Sequence, residues 1–583
     1  MSAILGINAF HADSAACLLI DGKLVGAVAE ERLGDREKHS SRFPAHAIRH
    51  LLASNGLKLS DIGHVAMARN TDANRRAKMA WVAANPVRGV RAALQHRRRA
   101  GQTEDMATLL GAACDEDPAR LRFQLVPVEH HLAHISSAYY VSPFESLTAG
   151  FSYDASGDFA SAMAARCEGS RVDILDSVTL PDSLGFFYTA LCQFIGFDWF
   201  GEEYKVMGLA PYGEDRFRDV MADLVKLPDN GWYRLGRRYF GMHEGGESGA
   251  VDPSGQVIMG RFFTDALKER LGEPATRGEV TQREMDIARS VQVRFEEAAI
   301  HCLSRLHRLV PSEQLVMAGG CALNGVANAR ILRETAFRQP YLQAAASDDG
   351  TCVGAAFWTW HNILGRDERF HMEHAFWGPD HGDEAQRKAI ETAGYDVEEF
   401  PSPEAVVPRA AKLIADGAVV GWYQGRSEWG PRALGNRSIL ANPAISNMKD
   451  IINAKIKRRE SFRPFAPSVL AEDVGTYFEQ DVYSPFMMHV VKVRPEYRER
   501  LPAITHVDGT GRLQSVSPGS NALYHRLISE VKRHTGFGVV LNTSFNENEP
   551  IVDTPGQAFS CFARTEMDAL AIGRYLVTKQ QPA

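Results

Sequence analysis

Apolar and polar residues alternate over residues 3–30 in three short runs, AILGINAF, SAACLLI and LVGAVAEE, the last two joined through Asp21-Gly22. Alternation with period two marks a strand with two distinct faces, and Asp-Gly is a hairpin turn, so a three-stranded meander is predicted. The same succession of strand, small acidic turn and strand returns in SLTAGFSYDASGDFASAMAARCEG, residues 146–169. That recurrence predicts an internally duplicated α/β domain with a nucleotide cleft between its halves. Apolar spacings of three and four predict helices at about 44–54, 131–140, 284–308 and 404–416. Over 362–382 the periodicity is lost and turn residues gather, which predicts a domain boundary between a first domain, 1–365, and a second, 383–583. The pattern restarts with the helix DEAQRKAIETAG and a strand.

At 583 residues the chain is too long for one hydrophobic core. Its apolar share of 45% and charged share of 23% belong to a globular protein. A net charge of −7 gives no reason to expect nucleic acid or an anionic membrane as partner. No basic region precedes the first apolar run, which His11 and Asp13 interrupt, so no secretory signal is predicted, and no apolar stretch reaches the length of a membrane span. The 8 cysteines are scattered without a C-x-x-C pair. Reduced thiols and a cytoplasmic location are therefore expected, not a disulfide framework or a thiolate zinc site.

The stretch VEHHLAHISSAYY, residues 128–140, puts His130 and His134 one helical turn apart on one face. Such a pair can hold one metal; alone, it is more often a buried imidazole bonded to a carbonyl with surface neighbours. Carboxylates are at hand in SYDASGD (Asp154, Asp158) and SDDG (Asp348, Asp349). Two imidazoles with one or two carboxylates suit Fe(II), Mn or Zn. Three loops are small enough to bring backbone N–H groups against phosphates: DASGD with Ser156 and Gly157, AGGCALNGVAN with Gly319, Gly320 and Asn324, and SDDGTCVGAA with Asp349. None fits the Walker or the dinucleotide pattern. The segment GEEYKVMGLAPYG, 201–213, holds Lys205 between glycine turns and could line the cleft or be an exposed loop. The run VRGVRAALQHRRRAGQ, 87–102, reads as a solvated helix face.

The second domain differs in character. GRSEWGPRALGNRSIL and NAKIKRRESFRPFAPSVL carry Arg426, Arg432, Arg437, Lys457 and Arg463 among glycines, prolines and apolar residues, where a solvated helix face is a poor explanation. Guanidinium forks suit bidentate capture of phosphate or carboxylate, and with few stacking aromatics a small phosphorylated metabolite is favoured over nucleic acid. VVLNTSFNENEP adds Asn542 and Ser544 after a strand, where they could complete an anion pocket.

HHLAH, YDASGD, KVMGLAPYG, GGCALN, DDGTCVGAA and the long C-terminal run together resemble the O-carbamoyltransferase family, which decorates antibiotics and nodulation factors. The resemblance spans about residues 3–575. It implies an α/β fold: a duplicated ASKHA-type nucleotide-binding domain similar to that of tRNA threonylcarbamoyl-adenosine transferases, followed by a YrdC-like α/β domain. It places His130, His134, Asp154 and Asp348 on a metal, with Fe(II) expected and Mg accompanying ATP; a slip from Asp348 to Asp349 stays open. It sets Arg432, Lys457, Arg463 and Ser544 around carbamoyl phosphate, a site to which the runs above add Arg426 and Asn542 as candidates. Such enzymes form carbamoyl adenylate from carbamoyl phosphate and ATP, and pass the carbamoyl group to a hydroxyl-bearing small molecule. The intermediate carbamate, labile in water, is expected to travel through the interior. His11 and Asp13 of FHADSA, with Lys205, are the candidate catalytic residues, His11 as base for the acceptor hydroxyl. Two alternatives are a hydrogenase-maturation-type carbamoyl factor, whose acylphosphatase-like segment and cysteine-rich motifs are not seen here, and a non-catalytic nucleotide sensor, which needs no second anion site.

Overall fold

The structure is a computed structural model and describes residues 2–34, 36–86, 105–241, 250–251, 257–458, 460, 462–463 and 465–579. The basic run 87–102 lies outside the described residues. The chain divides into two compact units, Met1–Met372 and Glu373–Ala583.

The first unit holds two five-stranded sheets of one design. In the first, β1 (Ala3–Asn8), β2 (Ala15–Ile20) and β3 (Lys23–Ala29) form an antiparallel meander, and β4 (Ile62–Met67) and β5 (Gln124–Pro127) extend it in parallel beyond β1, giving the order β3-β2-β1-β4-β5. In the second, β6 (Thr148–Gly157), β7 (Ala160–Glu168) and β8 (Arg171–Thr179) repeat the meander, and β9 (Gln314–Ala318) and β10 (Gln339–Leu342) repeat the parallel extension. The duplication expected from the two meanders is thus complete down to strand order and direction. This is the ASKHA-type architecture.

Two helices form a buried layer of this unit. α2 (His130–Tyr139) follows α1 (Ala45–Ser54) in the chain and lies on β6 and β9; α7 (Thr351–Trp358) lies on β1 and β2; and the two pack on each other. Every residue of α2 is buried. Contact is backbone-close: a Cβ at Gly354 would stand 1.8 Å from the Ala133 carbonyl oxygen. Between them in sequence come α3 (Leu184–Phe194), α4 (Glu203–Leu209), the long α5 (Gln282–Leu309) and α6 (Gly325–Glu334). The segment around Lys205 is therefore a mostly buried helix, not an exposed loop: Lys205, Val206, Met207, Gly208 and Leu209 are all buried.

The second unit is built on a nine-stranded mixed sheet. In chain order its strands are β11 (Val397–Glu399), β12 (Val420–Tyr423), β13 (Arg437–Ala441), β14 (Ala466–Leu470), β15 (His489–Lys492), β16 (Thr510–Val516), β17 (Val539–Ser544), β18 (Ala569–Ile572) and β19 (Tyr575–Thr578). They lie in the order β11-β19-β18-β12-β13-β17-β14-β16-β15. α8 (Gly382–Ala393) packs with α11 (Pro555–Arg564), and α9 (Pro403–Ala415) with α10 (Pro518–Thr535). Val406, Ala410, Ile414, Leu527, Ile528 and Val531 of the latter pair close over Trp422, Leu440 and Val540 of the sheet. Among the described residues no helix is long and apolar enough to cross a membrane.

Candidate active site

α2 begins where two carboxylates meet its free amides. Glu129 caps the helix by accepting from Leu132 N (2.7 Å), and Asp158 Oδ2 accepts from His130 N (3.0 Å) and Asn70 N (2.7 Å). One turn apart on this fixed helix, the His130 and His134 rings stand at 88° with centroids 4.6 Å apart and their Nε2 atoms 3.1 Å apart. Asp154, near the end of β6, brings Oδ2 to 3.1 Å from His134 Nε2, and Asp348, in the turn before α7, brings Oδ1 to 3.4 Å from each Nε2. The four ligand atoms lie within 4.8 Å of one another, so α2 of the first half and β6 with the turn before α7 of the second supply one cluster.

The electrostatics are those of a cation site. Burial and the neighbouring Asp348 push the Asp154 carboxyl up, yet hydrogen bonds with His130 and His134 hold it below the ordinary range. Burial opposes ionisation of Asp348 too, and His11 and His130 overcome it. Asp348 Oδ1 is buried with no hydrogen-bond partner, and two imidazole Nε2 atoms face one another at hydrogen-bond distance. Two nitrogens and two carboxylate oxygens converging this way fit a divalent transition metal. Asp349 stays outside the cluster: its Oδ1 accepts from Gly350 N, and burial with Asp13 and Glu31 nearby raises its carboxyl well above the usual range. His131 turns into the core, 3.0 Å from Ser152 Oγ.

The small-residue loops border the cluster. A Cβ at Gly157 would sit 2.0 Å from the His130 ring, and one at Gly320 would sit 3.0 Å from Asp154 Oδ1. Gly319, at φ +96°, ends β9 against the Tyr153 carbonyl. Ser156 is half-buried beside them. Asn324 is spent locally: it caps α6 through Ala327 N (3.1 Å) and exchanges two 3.0 Å hydrogen bonds with Gln292 of α5.

The candidate catalytic residues separate. His11 Nδ1 is bonded to Asp348 Oδ2, joining the cluster directly. Asp13 instead binds His39 Nδ1 (2.7 Å) and accepts from Ser347 Oγ (2.7 Å). Burial works against a charged His39, but Asp13, Glu31 and Glu203 outweigh it and push the imidazole up to about 9. Lys205 Nζ pairs with Glu202 (2.8 Å), which also takes a two-point contact from Arg277 at 2.7 and 2.9 Å. His39 drew no attention in the sequence because no local spacing links it to Asp13.

In the second unit Lys457 Nζ donates to Ser544 O, Asn546 O and Asn546 Oδ1, each at 2.7 Å, and Ser544 Oγ donates to Asn546 Oδ1 (2.7 Å). Arg426 serves the backbone of residues 377–378, donating to Trp377 O (2.7 Å) and Gly378 O (2.9 Å). Arg437 is fully buried and donates to the Gln424 (2.7 Å) and Gly425 (3.0 Å) carbonyls. Arg463 lies 3.7 Å from Glu460. Asn542 Nδ2 donates to the Ala433 carbonyl (3.1 Å), next to Arg432, whose Nε is buried without a partner. The structure thus joins Lys457 to Ser544 and Asn542 to the Arg432 loop, while Arg426 is a fastener of that unit's backbone. Glu428 and Asn546, which lie within the runs GRSEWGPRALGNRSIL and VVLNTSFNENEP but are not singled out there, and Gln514, which lies in no motif, complete these networks.

A duplicated ASKHA-type fold with a four-donor cluster is joined in sequence to a mixed α/β unit, and this is the two-part design of an enzyme family. Residues 3–357 match the carbamoyltransferase N-terminus family and residues 411–579 the carbamoyltransferase C-terminus family; the chain belongs to the carbamoyltransferase family. Nodulation protein NolNO of Sinorhizobium fredii is 38% identical over 584 residues, 98% of this chain and 80% of its own. The 3'-hydroxymethylcephem-O-carbamoyltransferase of Streptomyces clavuligerus is 36% identical over 238 residues, 40% of this chain and 42% of its own. Among solved structures, HypF of T. kodakarensis aligns with 62% of this chain and 48% of its own at 15% identity and a TM-score of 0.31.

Proposed function

We propose that this carbamoyltransferase is an ATP-dependent O-carbamoyltransferase acting on a hydroxyl of a small-molecule acceptor. Carbamoyl phosphate and water give carbamate and phosphate in the second unit, a YrdC-like domain in this reading, where Arg432, Lys457, Arg463, Asn542 and Ser544 surround the donor. Carbamate oxygen then attacks the α-phosphorus of ATP, expelling pyrophosphate and giving carbamoyl adenylate in the first unit. The acceptor hydroxyl attacks the carbamoyl carbon, releasing AMP. The observation that carries the reading is the convergence of His130, His134, Asp154 and Asp348 beside three small-residue loops.

Those four residues would hold the metal, Fe(II) in this reading, which when bound neutralises phosphate oxygens of the nucleotide. The chain's own groups do the rest. Gly157 and Gly320 leave room beside the cluster that any side chain would fill, so backbone amides of these loops can approach phosphate. His11, bonded to Asp348 through Nδ1, keeps Nε2 to take the acceptor proton. Asp13 orients His39, and Lys205 holds α4 through Glu202, so both act on the shape of the site.

The test is ATP–pyrophosphate exchange with the purified protein. Exchange that requires carbamoyl phosphate supports adenylate formation; its absence with correctly folded, metal-loaded protein overturns the proposal.

A further inference from the structure

The loop between β12 and β13 carries Arg432 and is gripped by buried side chains on several sides. Glu428 Oε1 accepts three of its backbone N–H groups, from Leu434 (2.9 Å), Asn436 (2.8 Å) and Arg437 (3.0 Å). Asn542 takes the Ala433 carbonyl at 3.1 Å, and Gln514 Nε2 donates to the Leu434 carbonyl at 2.8 Å. The peptide joining Ala433 to Leu434 is therefore held at its oxygen by Asn542 and at its N–H by Glu428. Gly435, at φ +110°, closes the loop against α10: a Cβ there would stand 2.2 Å from the Tyr524 ring. Asn542 is itself fixed by Ser468 Oγ (3.0 Å) and Gln514 Oε1 (3.1 Å), so the sheet holds the loop from outside while Glu428 holds it from within.

Arg432 is half-buried, its Nε has no hydrogen-bond partner, and among the described residues no carboxylate forms an ion pair with it. Burial alone pushes its guanidinium down to about 10. Glu428 is 3% exposed, and its Oε2 is buried without a partner. Placing a carboxyl group there is costly unless the three amides it ties down must keep one arrangement. A guanidinium whose backbone is fixed before the ligand arrives loses less freedom on binding, and so binds a phosphate dianion more tightly.

We propose that Glu428 is a positioning residue: by clamping the amides of Leu434, Asn436 and Arg437 it sets the place of Arg432, and through it the affinity of the donor site for carbamoyl phosphate. The proposal rests on the reading of Arg432 as a donor-gripping residue. Glu428 touches no substrate.

The experiment is a double-mutant cycle in the full-length, metal-loaded enzyme, with KM for carbamoyl phosphate and for ATP read from the exchange reaction. R432A is expected to raise KM for carbamoyl phosphate about 100-fold, the loss of one or two charge-assisted hydrogen bonds. E428A is expected to raise it about tenfold with KM for ATP unchanged, and E428A/R432A to be no worse than R432A alone, because coupled residues do not add. E428Q, whose carbonyl can still accept at the same place, should stay within about threefold of wild type. E428D withdraws the acceptor by one carbon while keeping its charge, should behave like E428A, and decides alone if E428A does not fold. Additive effects of E428A and R432A, an equal rise in both KM values, or an unchanged KM for carbamoyl phosphate in E428D overturn the role of Glu428. If R432A itself leaves that KM unchanged, the assignment of Arg432 fails and the positioning role falls with it. Wild-type protein without carbamoyl-phosphate-dependent exchange refutes the proposed reaction instead.

Discussion

His130 and His134 illustrate how much of a site one residue decides. Their Nε2 atoms are 3.1 Å apart and each faces Asp348 Oδ1 at 3.4 Å, so losing either ring leaves two carboxylates in a buried space with one imidazole between them. H134A is expected to lose nearly all bound metal and the exchange reaction, while phosphate release from carbamoyl phosphate persists in the second unit. Metal analysis of the purified variant, beside a phosphate-release assay, checks both; full metal content in H134A refutes the cluster. The adjacent aspartates provide a sharper comparison. D348N should lose metal, whereas D349N should keep it, because Asp349 is bonded to Gly350 N and lies outside the group. The reverse result would mean the turn binds metal one residue later than its geometry indicates.

Elements decide whether those residues meet. α2 and α7 are so close that Gly354 has no room for a side chain, and G354A is expected to destabilise the first unit by about 3 kcal/mol, the upper range for overpacking, as read by the denaturant midpoint. Gly157 makes a different demand. A methyl group there must move the His130 ring, so G157A should lower metal affinity by about 10- to 100-fold. A metal titration that leaves G157A unchanged would sink this. These contacts also show what was readable in the chain. Strands, both meanders and α2 were legible because their periodicity is local, and the family's motifs carried His130, His134, Asp154 and Asp348 together. For Lys205 the sequence leaves a cleft-lining segment and an exposed loop both open, because Gly201 and Gly213 look like punctuation, and the fold removes the loop by turning Lys205 to Leu209 inward. Asp13–His39 and Glu428 with its three amides were not legible: each joins a side chain to groups with no spacing rule, and only the folded backbone brings them together.

At the scale of the whole molecule, each unit keeps a histidine neutral by burying it. His361 of the first unit donates to the Arg366 carbonyl (2.7 Å) and stacks on Tyr140 at 4.3 Å; His489 of the second lies 3.0 Å from Ser484 Oγ. Burial lowers each imidazole to about 4. Below its ordinary value of 6.5 the unfolded chain takes up a proton that the folded unit refuses, so this stability is whole above pH 6.5 and drains away as pH falls toward 4. His39 has the opposite sign. Raised to about 9, it stabilises the folded state fully below pH 6.5, and that contribution is lost as pH rises through 9. The first unit is therefore weakened on both sides and the second, through His489, on the acid side. Between pH 7 and pH 5 each buried histidine should cost its unit about 2 kcal/mol. H361F and H489Q separate the two, since units with their own cores can unfold independently. H361F should reduce the acid loss of the first unit's unfolding transition by about 2 kcal/mol, with His131 keeping its own share, and leave the second's in place; H489Q should do the converse, with His374 keeping its share. Urea unfolding of both variants at the two pH values checks this, and an acid loss undiminished in both would show that other groups carry it.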